Sequence, residues 1–160
     1  MIKALTFVLV CGGCAAMAQD LPYSDAATLN CLQSGADAKA CIGLSAQMCM
    51  NTPEGGSTVG MGGCLDAELT FWDARLNANY QARMVEAKRM DEETREVGAT
   101  VSSQAEALRT MQRAWIPFRD ASCAWEASKW GGGTGAGPAY LACLLDLTAD
   151  QSITLGPENR

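Results

Sequence analysis

Six cysteines, and the glycine-containing turns between them, constrain the fold of this chain more than any other sequence feature. They form an even set after residue 18: Cys31, Cys41, Cys49, Cys64, Cys123 and Cys143. In a helical hairpin, residues at equal distances from the turn face each other. The midpoints of the consecutive pairs fall at Ala36, between Gly56 and Ser57, and at Gly133, and each lies in a stretch that contains glycine. The sequence therefore predicts three disulfides, Cys31–Cys41, Cys49–Cys64 and Cys123–Cys143, each closing one hairpin.

Other uses of these cysteines fit the sequence less well. Cys41 and Cys49 are predicted to lie in one helix, where eight residues at about 1.5 Å rise would separate them by roughly 12 Å, too far for a disulfide. Metal binding is opposed by the absence of histidine and of a CxxC motif after residue 18. We therefore expect no metal and no cofactor. The absence of histidine also removes the commonest general base.

Residues 1–18 have the pattern of a secretory signal peptide. Lys3 is followed by a short apolar run, and the triplet Ala16-Met17-Ala18 fits a cleavage site before Gln19. The apolar run is too short to span a bilayer, and no later stretch is long enough. The sequence predicts a periplasmic or secreted protein, with a lipoprotein as the less favoured alternative because the leader cysteines lack the usual residues before them.

The charge balance excludes one class of partner. Without Lys3, 11 of the 12 basic residues remain against 18 acidic residues, which leaves about seven net negative charges. An acidic protein does not bind nucleic acid through its phosphates. A basic protein partner is compatible with this charge.

Hydrophobic periodicity predicts an all-α, disulfide-stapled, up-and-down helical bundle of about four to five helices. The expected helices cover 25–33, 37–50, about 64–90, about 103–128 and a last stretch from Pro138, and no strand pattern of comparable strength occurs. Residues 19–60 form a cysteine-containing N-terminal helical extension and residues 61–156 the main helical domain. If successive helices alternate in direction, the glycine-rich loops 52–63 and 131–137 lie at the same end of the bundle, either as a binding surface or simply as connectors.

The predicted helix 103–128 contains the most distinctive stretch of the chain. Ser103 and Glu106 fit a capping box, and Pro117 predicts a local kink. Its apolar face is predicted to be Leu108, Met111, Trp115, Phe118, Ser122 and Trp125. We expect Trp72, Trp115 and Trp125 to be core residues. The exposed aromatic residue is expected to be Trp130, which with Gly132 and Thr134 is the candidate partner-binding site.

Polar residues recur at helical spacing on two of the predicted helices. If the two faces meet, Arg119 could pair with Asp73 while Asn77 and Gln112 bond to backbone or to each other. The candidate cluster consists of Asp73, Asn77, Tyr80, Gln112, Trp115, Arg119 and Asp120. Such a cluster either fixes the register of the helices or faces a partner.

Two motifs resemble a known family. Asp73-x-x-Leu76-Asn77-x-x-Tyr80 and then Gln112-x-x-Trp115-Ile116-x-x-Arg119-Asp120-x-x-Cys123, followed by Cys143 and Thr148, are similar to the DUF1311 family, or lysozyme inhibitor LprI-like N-terminal domain. The resemblance covers roughly residues 64–155. It departs from the family pattern at Gln151, where an arginine is usual. It implies an exported, helical, disulfide-bonded domain, with lysozyme inhibition attributed to some members.

The sequence thus favours a non-enzymatic exported binding protein that inhibits a basic lysozyme or another cell-wall hydrolase. The alternative is a structural or assembly module of the bacterial envelope without inhibitory activity. An envelope hydrolase using carboxylates is a third hypothesis, but the acidic pair Asp66 and Glu68 is predicted to lie on a solvated face. The glycines of 131–137 lack the lysine of a phosphate loop. The sequence does not predict an oligomeric state.

Overall fold

A computed structural model describes residues 21–98 and 100–157 of the chain. The predicted signal peptide lies outside these residues. Within them the chain is all-helical, with five α-helices, one 3₁₀ turn and no strand: α1 (Ala26–Gln33), the 3₁₀ turn (Ala38–Cys41), α2 (Leu44–Met50), α3 (Thr58–Glu96), α4 (Gln104–Ser128) and α5 (Ala136–Leu155). The all-α prediction is confirmed. No helix in the described ranges is both long and apolar enough to cross a membrane.

The prediction of one continuous helix over 37–50 is wrong, because the helical path is interrupted at Gly43. The 3₁₀ turn ends at Cys41, and Gly43 has a φ of 82°, in the left-handed region that glycine adopts without strain. A new helix, α2, starts at Leu44. Cys41 and Cys49 therefore lie in different elements, so the reason given for keeping them unpaired, a shared helix, is wrong. The two cysteines nevertheless belong to different disulfides, as predicted.

The central helix, α3, is longer at both ends than the predicted 64–90. Its 39 residues correspond to about 58 Å at 1.5 Å per residue. At its start, the Ser57 hydroxyl accepts a hydrogen bond from the Gly60 amide at 3.0 Å, which is an ordinary N-cap. At the other end, ion pairs of Arg89 and Arg95 with glutamates one turn away extend the helix to Glu96.

Helices α3, α4 and α5 run up, down and up, so that α3 and α5 are parallel. Two apolar clusters hold them. The first contains Ala46, Leu65, Trp72, Leu145, Ala149 and Ile153, and it joins α2, α3 and α5. The second, formed by Met84, Ala87 and Ala105, joins the far part of α3 to the start of α4. The short N-terminal elements pack against α3 and α5.

The structure contains the disulfides Cys31–Cys41, Cys49–Cys64 and Cys123–Cys143, the three pairs indicated by the midpoints. Cys49–Cys64 joins α2 to α3 across the first glycine loop. Cys123–Cys143 joins α4 to α5 across the second. Because both loops lie at the same end of the bundle, this end is fixed by two covalent links.

Helix α4 begins with a more elaborate cap than the predicted capping box. The Ser103 hydroxyl accepts from the Glu106 amide, but the Glu106 carboxylate pairs with Arg109 instead of returning to Ser103. Asp91 of α3 takes that place and accepts from the Ser103 hydroxyl at 2.6 Å and from the Gln104 amide at 2.7 Å. Pro117 lies inside α4, which continues to Ser128; the predicted kink stays a prediction.

Candidate functional site

Glu68 is a fully buried carboxylate with four hydrogen-bond donors among the described residues. The prediction of a solvated face is therefore wrong for this residue. Its Oε1 accepts from the Thr28 hydroxyl at 2.8 Å, from the Gly43 amide at 2.9 Å and from the Trp72 indole at 3.2 Å. Its Oε2 accepts from the Ala46 amide at 2.6 Å. The carboxylate thus caps α2 from α3, where a helix N-terminus favours negative charge.

Thr28 extends this network from α1 to α2. Its amide donates to the Ser45 hydroxyl at 3.1 Å, and its hydroxyl accepts from the Ser45 amide at 3.2 Å. Sequence reasoning missed this network, although its signal was present. Glu68 lies three residues after Leu65 and four before Trp72, on the apolar stripe of α3, where a carboxylate needs buried donors.

The residues of the predicted polar cluster are distributed over separate contacts. Asp73 is exposed and accepts from the Asn77 side chain at 2.9 Å on the same helix. Arg119 donates to Asp120 at 2.8 and 2.9 Å, and its guanidinium lies 5.0 Å from the centre of the Trp115 ring. The Arg119 contacts that the structure describes therefore lie on α4, and the hypothesised pairing with Asp73 is not among them.

Gln112 and Tyr80 instead contribute to contacts between helices. Gln112 Oε1 accepts from the side chain of Gln151 at 3.0 Å, which joins α4 to α5. Gln151, the departure from the family pattern, is 9% exposed. Tyr80 packs beside Met84 in the second apolar cluster. These three positions therefore support the register of the bundle.

Two residues that sequence reasoning did not single out join α3 to the end of α5. Arg83 donates to the carbonyl groups of Leu155 and Gly156, both at 2.7 Å. Asn79 donates to the Ser152 carbonyl at 2.9 Å. The carbonyl groups at a helix C-terminus lack intrahelical partners and are the expected acceptors for a guanidinium.

The loop end of the bundle, defined as connections 51–57 and 129–135 with the helix ends beside them, carries the predicted partner-binding residues. An open groove of about 460 Å³ lies here; its walls include Met50, Met61, Leu65, Trp130, Thr134 and Pro138. The two glycine loops are therefore adjacent, as the alternation of helices predicts. Trp130 is 54% exposed, and Gly132 has a φ of 83° in the turn that follows it.

Gly135 fixes the position of the Trp130 ring. A Cβ atom at residue 135 would lie 2.2 Å from the Trp130 ring, so the indole packs directly on the glycine backbone. The indole is thus supported from one side and open to solvent on the other. An aromatic side chain held in this way loses little entropy when a partner covers it.

The predicted buried apolar face of α4 is partly wrong, because two of its aromatic residues line a second, open groove between α4 and α5. Trp125 is 63% exposed and Phe118 is 60% exposed, whereas Met111 is 37% exposed. These three residues are spaced by seven, and a line of such positions drifts by about 20° per heptad around a straight helix. The line therefore leaves the buried face as α4 proceeds. Trp72 is buried as predicted, but the core assignment of Trp125 is wrong.

The second groove encloses about 530 Å³. Phe118 and Trp125 line it on the α4 side, and Ala139, Ala142, Asp146 and Leu147 line it on the α5 side. The two alanines leave room between the helices, and Cys143 of the disulfide also borders the groove. The Asp146 side chain is exposed, but partial desolvation raises its pKa, as do the negative charges of Asp150 and Glu68.

Among the described residues, no group of three or more histidine, cysteine, aspartate or glutamate side chains is placed to hold a metal ion. The arrangement as a whole offers two apolar surfaces on a rigid frame. Surfaces of this kind are suited to binding another molecule.

Comparison with known proteins identifies relatives of this chain. A family model described as lysozyme inhibitor LprI matches residues 49–155. "Uncharacterized protein R02472" of Rhizobium meliloti (strain 1021) is 30% identical over 92 residues, which are 58% of this chain and 66% of that protein. The "Uncharacterized 17.7 kDa protein in puhA 5'region" of Rhodobacter capsulatus is 24% identical over 121 residues, 75% of each chain. The chain thus spans just under two thirds of the first relative. No solved structure matches it.

Proposed function

The chain belongs to the lysozyme inhibitor LprI family, and on this premise we propose that it binds a lysozyme or another cell-wall hydrolase and inhibits it through the loop end. The observation that carries the proposal is Trp130, a half-exposed indole supported by Gly135 beside an apolar groove. Aromatic residues of this kind are frequent hot spots of protein interfaces. The family is described as one of inhibitors, which fits a non-enzymatic role.

Two further features support an inhibitor. The disulfides Cys49–Cys64 and Cys123–Cys143 hold the loop end in place, so that binding requires little ordering. Lysozymes of the animal type are basic, and the net negative charge of this chain would accelerate association with them. Three disulfides also fit a protein that works outside the cytoplasm, in the periplasm or after secretion.

The proposal is tested by titrating the disulfide-bonded protein into an animal lysozyme that is lysing bacterial walls, at low and at moderate salt. We expect inhibition that weakens as salt rises. Trp130→Ala should weaken inhibition by about tenfold or more, the usual effect of truncating a hot spot. Val85→Ala, at a 71% exposed apolar residue of α3, is the matched control and should leave inhibition unchanged.

The competing role is a structural or assembly module of the bacterial envelope. It predicts no effect on lysozyme at any excess of protein. It also predicts that Trp130→Ala changes no activity of the hydrolase while the protein stays folded. Absence of inhibition by the intact protein would therefore refute the inhibitor proposal and favour this role.

A further inference from the structure

The α4–α5 groove combines an apolar wall with a carboxylate, Asp146, for which the described part of the chain supplies no partner. Asp146 makes no ion pair or side-chain hydrogen bond with any residue that the structure describes. Asp150, one turn further along α5, is by contrast paired with Lys39 at 3.1 Å. The Asp146 side chain is exposed and therefore accessible to a partner. Partial desolvation and the negative charges of Asp150 and Glu68 still disfavour its charged form. A cation brought to Asp146 from outside would therefore meet an acceptor that nothing in the described fold occupies.

The opposite wall already shows how this surface holds a cation. The Lys129 ammonium group lies 3.6 Å from the centre of the Trp125 ring and donates to the Glu126 carboxylate at 2.6 Å. An aromatic face beside a carboxylate is a favourable environment for an ammonium or guanidinium group. Asp146 faces the same groove as Trp125 and Phe118. Asp146 and these rings therefore also place a carboxylate near aromatic faces, but no described cation is paired with Asp146.

We propose that the α4–α5 groove is a docking surface for a protein segment that carries an arginine or lysine beside apolar side chains. The basic group would pair with Asp146, and the apolar neighbours would cover Phe118 and Trp125. The charge of the groove selects this occupant, because the charged residues among its described lining, Glu126 and Asp146, are both acidic and Lys129 is already paired with Glu126. The Cys123–Cys143 disulfide beside the groove keeps its two walls in register.

This surface is distinct from the loop end, and its test does not depend on lysozyme inhibition. The probe is a blocked peptide of alternating leucine and arginine, compared with the same peptide in which glutamine replaces arginine. Each is titrated into the ¹⁵N-labelled, disulfide-bonded protein. The readouts are the indole N–H of Trp125 and the backbone amide of Asp146 in NMR spectra.

We expect the arginine peptide to shift both signals in a saturable manner and the glutamine peptide to bind at least tenfold more weakly. Asp146→Asn and Trp125→Ala should each weaken the arginine peptide by about tenfold. Asp66→Asn, which removes an exposed carboxylate from α3, and Trp130→Ala at the loop end are the controls and should change its binding less than twofold. The Asp146 variant should keep or raise its melting temperature, because it removes a charge that the fold disfavours.

Three results would overturn the proposal. The first is equal binding of the two peptides, or no shift with either at millimolar concentration. The second is binding that Asp146→Asn leaves unchanged. The third is a shift of the Trp125 signal with protein concentration alone, which would identify a second copy of the chain as the occupant.

Discussion

Replacing Glu68 by glutamine tests whether one buried carboxylate holds the N-terminal elements on the bundle. Glutamine has nearly the same shape, so the change removes charge and one acceptor without leaving a cavity. Every described partner of Glu68 is a donor: the Thr28 hydroxyl, the Gly43 and Ala46 amides and the Trp72 indole. A glutamine offers a single acceptor oxygen, and its NH₂ group must face at least one of these donors.

The least costly orientation keeps the oxygen at the position of Oε1, where three donors converge, and turns the NH₂ group toward the Ala46 amide. The Ala46 amide then loses a 2.6 Å hydrogen bond and stays buried without an acceptor. The loss of a bond to a charged acceptor costs about 1.5–3 kcal/mol. The three remaining bonds also weaken, because a neutral acceptor replaces a charged one, while the lower cost of burying an amide offsets part of this loss.

We therefore expect Glu68→Gln to lower the free energy of unfolding by about 3 kcal/mol and the melting temperature by roughly 10 °C for a chain of this length. Urea denaturation of the disulfide-bonded protein measures the first quantity and a thermal scan the second. Asp66→Asn, two residues away on the exposed side of α3, is the control and should change the free energy by less than about 0.5 kcal/mol. A loss below about 1 kcal/mol for Glu68→Gln would refute the argument that this carboxylate fixes α2.

Three further predictions concern the ends of the bundle. Replacing Cys49 and Cys64 together by serine should cost about 3 kcal/mol of stability in urea, as expected for a loop of 15 residues; an unchanged midpoint would contradict this. The Ser103 hydroxyl and the Gln104 amide hold the pKa of Asp91 below its usual value, so its contribution to stability is present above about pH 4 and is lost as pH falls through the lowered pKa. Melting temperatures of the wild type and Asp91→Asn should therefore converge in acid, and a constant difference would be inconsistent with this cap. Gly135→Ala should displace the Trp130 ring and shift its fluorescence while the protein stays folded, since only a side chain has to move; an unchanged spectrum would show that the ring is not held there.

Local rules were sufficient to predict the fold class and the disulfide pairs. Helical periodicity and glycine turns depend on residues close in sequence, and the pairs span separations of 10 to 20 residues. The predicted helix 37–50 failed because one glycine, Gly43, allowed the chain to turn where a buried carboxylate from α3 could cap the next helix. The cap comes from Glu68, 25 positions after Gly43, so a rule based on neighbouring residues cannot predict it.

The candidate site was predicted less completely for the same reason. The loop end followed from the alternation of helices, and Trp130 was identified by its position beside the second glycine loop. The exposure of Phe118 and Trp125 was not predicted, because the apolar pattern of α4 was treated as one face. The positions spaced by seven along α4 drift off its buried face, and their exposure accordingly rises from Met111 to Phe118 and Trp125.

The buried network of Glu68 predicts that the N-terminal elements and the long helices form one folding unit. Three of the four donors to Glu68 come from residues 28–46, while the carboxylate itself belongs to α3. Without these donors α3 would bury an uncompensated charge, and without Glu68 the start of α2 would lack its cap. Neither part can satisfy its polar groups alone, so we expect both to unfold together. The negative charge of Glu68 also contributes to the raised pKa of Asp146, which links the interior network to the electrostatics of the α4–α5 groove.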